Sequence, residues 1–367
     1  MALAAQAVEA HRPVPARPSD GIMTAPQRIL VFQTAFLGDV VLTLPMVQRL
    51  KRHFPASEID VVTTPAAAPL LRHPDVRSVI VYDKRRTQKG LRGILSMART
   101  LRAMRYDIAV VPHRSLRTAA VVTLSGIPRR ITFSTSAGRS LFTDIVPYVP
   151  TLHESDRNLS LLAPLGVPEE GKELPRLFPD ETDIGTVDAA FGELGIVAGQ
   201  RCIALAPGSV WNTKRWPAER FARLARMFAA DGHAVLIVGG KEDAELGRTL
   251  VAEAGDGTVH DLTGRFGLLG SAELIRRCAV LVTNDSAPLH LGVAMRTPVA
   301  AIFGATVPAF GFGPYGERDI VVETNGLTCR PCAIHGGRRC PIGTFECMNA
   351  IEAARVYRAV KEQLGTA

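Results

Sequence analysis

The sequence contains no apolar run of the roughly 18–20 residues that a bilayer-crossing helix needs, which excludes a helical membrane span. Aromatic residues are scarce, at 6%, and the most basic segment lacks the interleaved aromatics of a base-stacking platform, so nucleic acid is not an expected partner. That segment, Lys84 to Arg139, is also nearly empty of acid: 13 Lys and Arg stand against Asp107 alone, in a chain of net charge +8. Such a field favours an anionic partner. No Gly-x-Gly-x-x-Gly opens the first helix; Phe36-Leu-Gly-Asp39 stands there instead, which argues against NAD. No Asp-x-Asp pair closes a strand-like run, so a catalytic divalent ion is not expected. Residues 1–27 lack the basic and apolar regions of a secretory signal. With Pro13, Pro15, Pro18 and Pro26 among Ala and Arg they are expected to form a disordered extension, with Met23 as an alternative start, and the protein is expected to be soluble and cytoplasmic.

What is present is enough apolar material, 47% of 367 residues, for two cores of roughly 150–180 residues each. After residue 27 short β-branched runs alternate with amphipathic stretches of helix length, the signature of βαβ units and parallel sheets. Strands are expected at Ile29 to Thr34, Ile59 to Thr63, Ser78 to Tyr82, Ile108 to Val111 and Arg130 to Phe133. A second set is expected at Cys202 to Leu205, Ala234 to Val238, Val259 to Asp261, Val280 to Val282 and Val299 to Phe303. The implied division is a first domain over 28–166, a Pro-rich linker over 167–183, a second domain over 184–348 and a closing helix within 349–367. Within the basic segment, Leu91, Ile94, Leu95, Ala98 and Leu101 recur at helical spacing among Lys89, Arg92, Arg99, Arg102 and Arg105. This fits either a solvated helix over a core or a helix resting on anionic lipid.

Two turns in the second half should open on one edge of its sheet, where α/β proteins bind ligands. In Gly208-Ser-Val-Trp-Asn-Thr-Lys-Arg-Trp-Pro217, Lys214 precedes a helix and can reach a bound phosphate, or remain a solvated loop lysine. In Thr283-Asn-Asp-Ser-Ala-Pro-Leu-His290, Asp285 or Ser286 would cap a helix whose Ser286 and Ala287 amides face the cleft, with His290 one turn on. A cap and a core histidine are the plain alternatives. Glu242, after the Ala234 to Val238 run, can accept ribose hydroxyls or simply favour the helix dipole. In the first half Gly38 permits a tight turn and Asp39 is a general base or an N-cap. His113-Arg114-Ser-Leu-Arg117, with Arg129, Arg130 and Arg139, gathers cations in the first half.

Taken with their order and separation, Phe36-Leu-Gly-Asp-Val-Val-Leu-Thr-Leu-Pro45, Lys214-Arg-Trp-Pro217 and Thr283 to His290 resemble glycosyltransferase family 9, the bacterial lipopolysaccharide heptosyltransferases, over about residues 27–365. The resemblance implies a GT-B fold, two Rossmann-like doubly wound parallel-sheet domains facing a central cleft. It implies inverting transfer of heptose from ADP-heptose to the acidic lipopolysaccharide inner core, at the cytoplasmic face of the inner membrane and with no cofactor. It makes Asp39 the catalytic base and Lys214 the phosphate contact. Donor contacts would be Ser209, Asp285, Ser286, Ala287, His290 and Glu242; acceptor contacts would be Arg114, Arg117, Arg130 and Arg139. A sugar-nucleotide epimerase, a protein heptosyltransferase and a non-enzymatic nucleotide-sugar binder share parts of this pattern.

Cys329, Cys332, Cys340 and Cys347 gather four of the six cysteines into a Gly/Pro/Arg-rich loop, 329–347. In a reducing compartment four thiolates on a structural zinc or iron are expected ahead of disulfides, with free thiols as the alternative. Cys202 and Cys278 fit as small core residues.

Overall fold

The computed structural model describes residues 25–197, 199–255 and 257–365; the extension expected over 1–27 lies almost wholly outside them. Two six-stranded sheets, each entirely parallel, have the same strand order. The first is built from β1 (Arg28–Phe32), β2 (Glu58–Thr63), β3 (Ser78–Val81), β4 (Ile108–Val111), β5 (Arg129–Phe133) and β6 (Asp144–Val146), in the order β3-β2-β1-β4-β5-β6. The second is built from β7 (Cys202–Ala206), β8 (Ala234–Ile237), β9 (Val259–Asp261), β10 (Val280–Asn284), β11 (Val299–Phe303) and β12 (Ile320–Glu323), in the order β12-β11-β10-β7-β8-β9. Central strands such as β4, β7, β10 and β11 are buried along their whole length. That is why they read as continuous apolar runs rather than as alternation.

Helices α1 (Leu37–His53), α2 (Gly90–Met104), α3 (Leu116–Leu124) and α4 (Glu154–Ser160) cover the first sheet. Around the second lie α5 (Glu181–Glu193), α6 (Ala218–Ala230), α7 (Ala244–Ala254), α8 (Leu268–Arg276), α9 (Ala287–Ala294), α10 (Glu346–Asn349) and α11 (Ala353–Gly365). In α6 the buried Phe221, Leu224, Ala225 and Phe228 form one helical stripe on the sheet.

Several boundaries differ from expectation. The edge strands β6 and β12 were not legible, being three and four residues long. α5 begins inside the expected linker, because the Asp180 side chain accepts the Asp183 N–H at 3.0 Å and caps a new helix. α4 stops at Ser160 and is followed by a short turn at Ala163–Leu165. The closing helix starts at Ala353, after the separate α10.

One apolar cluster runs through both domains, with Val40, Val41 and Leu44 of α1 in the same core as Leu289, Leu291 and Val293 of α9. The remainder of the linker is stitched to α1: buried Arg49 pairs with Glu173 at 2.8 Å and the Gln48 amide donates to the Leu174 carbonyl at 3.1 Å. Pro45 leaves α1 without one backbone donor, and the buried Asn158 amide of α4 donates to the nearby Leu42 carbonyl at 3.1 Å. The carboxyl edges of the two sheets therefore face each other across a closed cleft.

Candidate active site

The cleft holds a cavity of about 180 Å³ walled from both domains. On the first-domain side, β1 runs into Phe36 to Asp39, the start of α1. Phe36 N–H donates to one Asp39 carboxylate oxygen at 3.0 Å, so Asp39 closes the first helical turn while its other oxygen stays available. Burial pushes its carboxyl up to about 6 against the opposing pull of that backbone bond and of Arg114 and Lys214. Gly38 is required here by contact rather than by backbone angle: a Cβ would stand 2.6 Å from His290 Cδ2 of the opposite domain.

On the second-domain side one buried residue sets the geometry. Asn284, at the end of β10, accepts the Trp216 N–H at 3.0 Å and donates to the Pro207 carbonyl at 2.7 Å, fastening the β7 and β10 turns together. Trp216 is itself buried, its indole N–H on the Ile351 carbonyl at 2.9 Å, so the turn before it is held and Lys214 projects into the cavity. Lys214 Nζ meets Asp285 Oδ2 at 2.6 Å, and the buried Thr306 hydroxyl donates to the same oxygen at 2.6 Å. Asp285 is thus not a helix cap, contrary to one expectation. Ser286 occupies the N-cap position of α9 with no side-chain cap bond, leaving the first amides of the helix uncovered toward the cavity. A cation and free helix amides side by side make an anion site.

The structure brings Asp39, Ser209, Lys214, Asp285, Ser286, Ala287 and His290 onto one cavity. His290 is 5% exposed and burial pushes its imidazole down to about 3, so it enters the site neutral, as a hydrogen-bonding group. Its Nδ1 has no partner among the described residues. Glu242 is not among the lining residues: it is exposed, in the turn Lys241–Asp243, with its carboxylate folded against Gly240.

Of the four arginines assigned to the acceptor, Arg114 stands nearest the chemistry. It is exposed, 4.5 Å above the Tyr148 ring, and its charge is felt at Asp39. Arg139 is exposed in the turn following β5. Arg117 is occupied, donating to the Tyr82 hydroxyl at 2.7 Å and to the Gln88 carbonyl at 2.5 Å. Arg130 is corrected outright: second in β5, it sits at the amino end of the strand, away from the cleft, and donates to the Leu141 carbonyl at 3.0 Å. The metal assignment of Cys329, Cys332, Cys340 and Cys347 is not supported either. All four are free thiols, and among the described residues no three His, Cys, Asp or Glu side chains converge as ligands. Cys347 is buried on α10 while Cys332 Sγ turns to the Cys329 carbonyl at 3.2 Å.

Sequence reasoning missed a cluster on α4. Glu154 is buried beside Asp39, its carboxyl pushed up to about 7 by burial, with Arg157 opposing and the Asp39 charge adding to the rise. The buried Arg157 pairs with it at 2.9 Å and reaches the second domain through the Phe310 carbonyl at 2.7 Å. His153 stacks on Tyr315 at 3.9 Å, also across the domains. The run of polar residues His153-Glu-Ser-Asp-Arg157 was visible, but its burial depends on the segment around 308–315.

Residues 94–339 match the family model for glycosyltransferase family 9 (heptosyltransferase). The chain belongs to glycosyltransferase family 9. It is 26% identical over 295 residues to lipopolysaccharide heptosyltransferase 2 of Escherichia coli (strain K12), covering 77% of this chain and 84% of that one. The crystal structure of the family 9 glycosyl transferase from Veillonella parvula DSM 2008 superposes with a TM-score of 0.81 at 28% identity, covering 93% of this chain and 98% of that one. The E. coli ADP-heptose LPS heptosyltransferase II structure does so at 0.75 and 23% identity, covering 92% and 99%. The GT-B architecture of a glycosyltransferase is thereby established for this family 9 chain.

Proposed function

We propose that this chain moves a heptose from ADP-heptose to the inner core of lipopolysaccharide with inversion at the anomeric carbon. The observation that carries this is the single cavity in which Asp39 of one domain faces Lys214, Asp285 and the uncovered start of α9 in the other. The acceptor hydroxyl gives its proton to Asp39 as its oxygen attacks the anomeric carbon, and the bond to ADP breaks on the opposite side. Lys214 and the α9 amides take the negative charge that develops on the leaving diphosphate, so no divalent ion is called for. Asp285 holds Lys214 in the absence of donor, and Thr306 fixes Asp285.

Arg114 would meet the acidic acceptor beside Asp39. The outer face of α2, with Leu91 77% and Leu95 42% exposed among Arg92 and Arg99, would rest on anionic lipid at the cytoplasmic face of the inner membrane, where a lipid-linked acceptor is presented. The test is ADP release from ADP-heptose with and without lipopolysaccharide truncated before the heptose. Release that depends on the acceptor is expected; equal release without it, or none with it, overturns the assignment.

A further inference from the structure

The loop between β12 and α10, read first as a metal site, does something else in the fold: it closes the cavity. Its stem is fixed by Arg330, whose guanidinium donates to the Gly304 carbonyl at 2.5 Å and the Thr306 carbonyl at 2.8 Å. The Cys332 N–H adds a bond to the Ala305 carbonyl at 2.9 Å. Its tip is paired to the Lys214 turn from both directions. Thr213 N–H donates to the Gly337 carbonyl at 3.0 Å, and Gly337 N–H donates to Thr213 Oγ1 at 2.7 Å. Gly336, at φ +81°, lies so close that a Cβ would stand 3.1 Å from Lys214 Cγ. The residues just before these glycines, Ile334 and His335, are thereby set into the cavity wall.

His335 then spans the cleft. Its ring lies 5.8 Å from the ring of Phe36 in the first domain, while its charged surroundings are Lys214, Arg114 and Asp285. No hydrogen bond to either ring nitrogen is found among the described residues. An imidazole with free nitrogens between two cations, on the wall nearest the opposite domain, is placed for the phosphoryl group that carries the sugar, because that group lies on the Asp39 side of the nucleotide. Resting on the donor assignment above, we propose that His335 is a further donor-binding residue, its imidazole N–H donating to the β-phosphoryl group of the nucleoside diphosphate while its loop walls the site.

The test is calorimetric binding of ADP and of AMP to the full chain, for the natural sequence, His335→Ala, His335→Gln and the neighbouring Ile334→Ala. His335→Ala is expected to weaken ADP binding about tenfold, as loss of one hydrogen bond to a charged group should, and to leave AMP, which has no β-phosphoryl group, within about twofold. Partial recovery of ADP affinity in His335→Gln, which keeps an N–H donor, is expected, while Ile334→Ala should weaken both nucleotides alike or neither. Equal ADP affinity in His335→Ala and the natural chain, or equal losses for ADP and AMP, overturns the role of His335 alone. Failure of the natural chain to bind ADP overturns the donor assignment itself.

Discussion

The two sheets share one strand order, yet their cleft-facing edges are built on different terms. In the second domain the functional groups are wired before any ligand arrives: Asn284 staples two turns, and Lys214, Asp285 and Thr306 form one short chain of bonds. In the first, Asp39 is held by the Phe36 backbone N–H, and Arg114, the cation of its own domain that is felt there, is exposed. A pre-set edge binds a small rigid ligand with little reorganisation. An exposed cation at such an edge suits a large anionic partner met at a surface. The difference is the one expected if, as proposed, the second domain holds the donor and the first meets the acceptor.

The largest expected effect comes from the group of the first edge proposed as the base. Asp39→Asn keeps an acceptor for the Phe36 N–H but cannot take a proton, so turnover should fall about 10²–10⁴-fold with ADP affinity unchanged. Steady-state ADP release beside calorimetry checks both halves; wild-type turnover would remove Asp39 from the mechanism. On the second edge, Lys214→Ala should cost roughly 10²-fold in kcat/KM and weaken ADP as well, since the cation serves bound and departing diphosphate alike. Loss of turnover with intact ADP binding would show that Lys214 acts only on the transition state.

The first edge can be divided further. Arg114→Ala should raise the KM for the acceptor about tenfold and leave the donor KM alone. Arg130→Ala should leave both unchanged and lower thermal stability slightly, because its bonds are to carbonyls at the far end of the strand. Equal effects on acceptor KM would mean that the basic segment acts through net charge rather than through position.

That contrast also marks what the sequence could carry. The three strand-to-helix turns were legible because each packs restricted residue types, Gly38 with Asp39, Lys214 before Trp216, Asp285 before α9, into a place the alternation of strands and helices already defines. Counting charge could not separate Arg114 from Arg130, although strand register could: a residue at the second position of a parallel strand lies at the amino end, opposite the cleft. Lys214 and Asp285 were each foreseen as ligands but not as partners, since nothing local says that two turns about 70 residues apart share a bond. His335 and Glu154 were invisible for the same reason, their places being fixed by Gly337 on Thr213 and by the segment near Phe310. The cysteine spacing brings four thiols near enough to act on one another's charge, but among the described residues no group of three ligands forms.

The smallest effect concerns acid. As the proposed base Asp39 would have to be ionised, and burial has pushed its carboxyl up to about 6. Activity should therefore be full above that pH and fall as pH drops through about 6, well before an ordinary carboxylate near about 3.9 would begin to fail. Glu154 has little part in this. The Asp39 charge adds to the rise of Glu154 to about 7, so Glu154 is largely protonated, and uncharged, where Asp39 titrates. Glu154→Gln should therefore leave the acid limb of kcat/KM, measured between about pH 5 and 8, in place. The same substitution leaves Arg157 buried without its carboxylate, though still held by the Tyr148 hydroxyl at 2.8 Å and the Phe310 carbonyl at 2.7 Å. Thermal unfolding separates the two consequences. A lowered Tm with an unmoved acid limb is expected and makes Glu154 a partner for Arg157, whereas a limb moved to lower pH would show an ionised Glu154 beside Asp39, on the neighbouring helix α1, raising it.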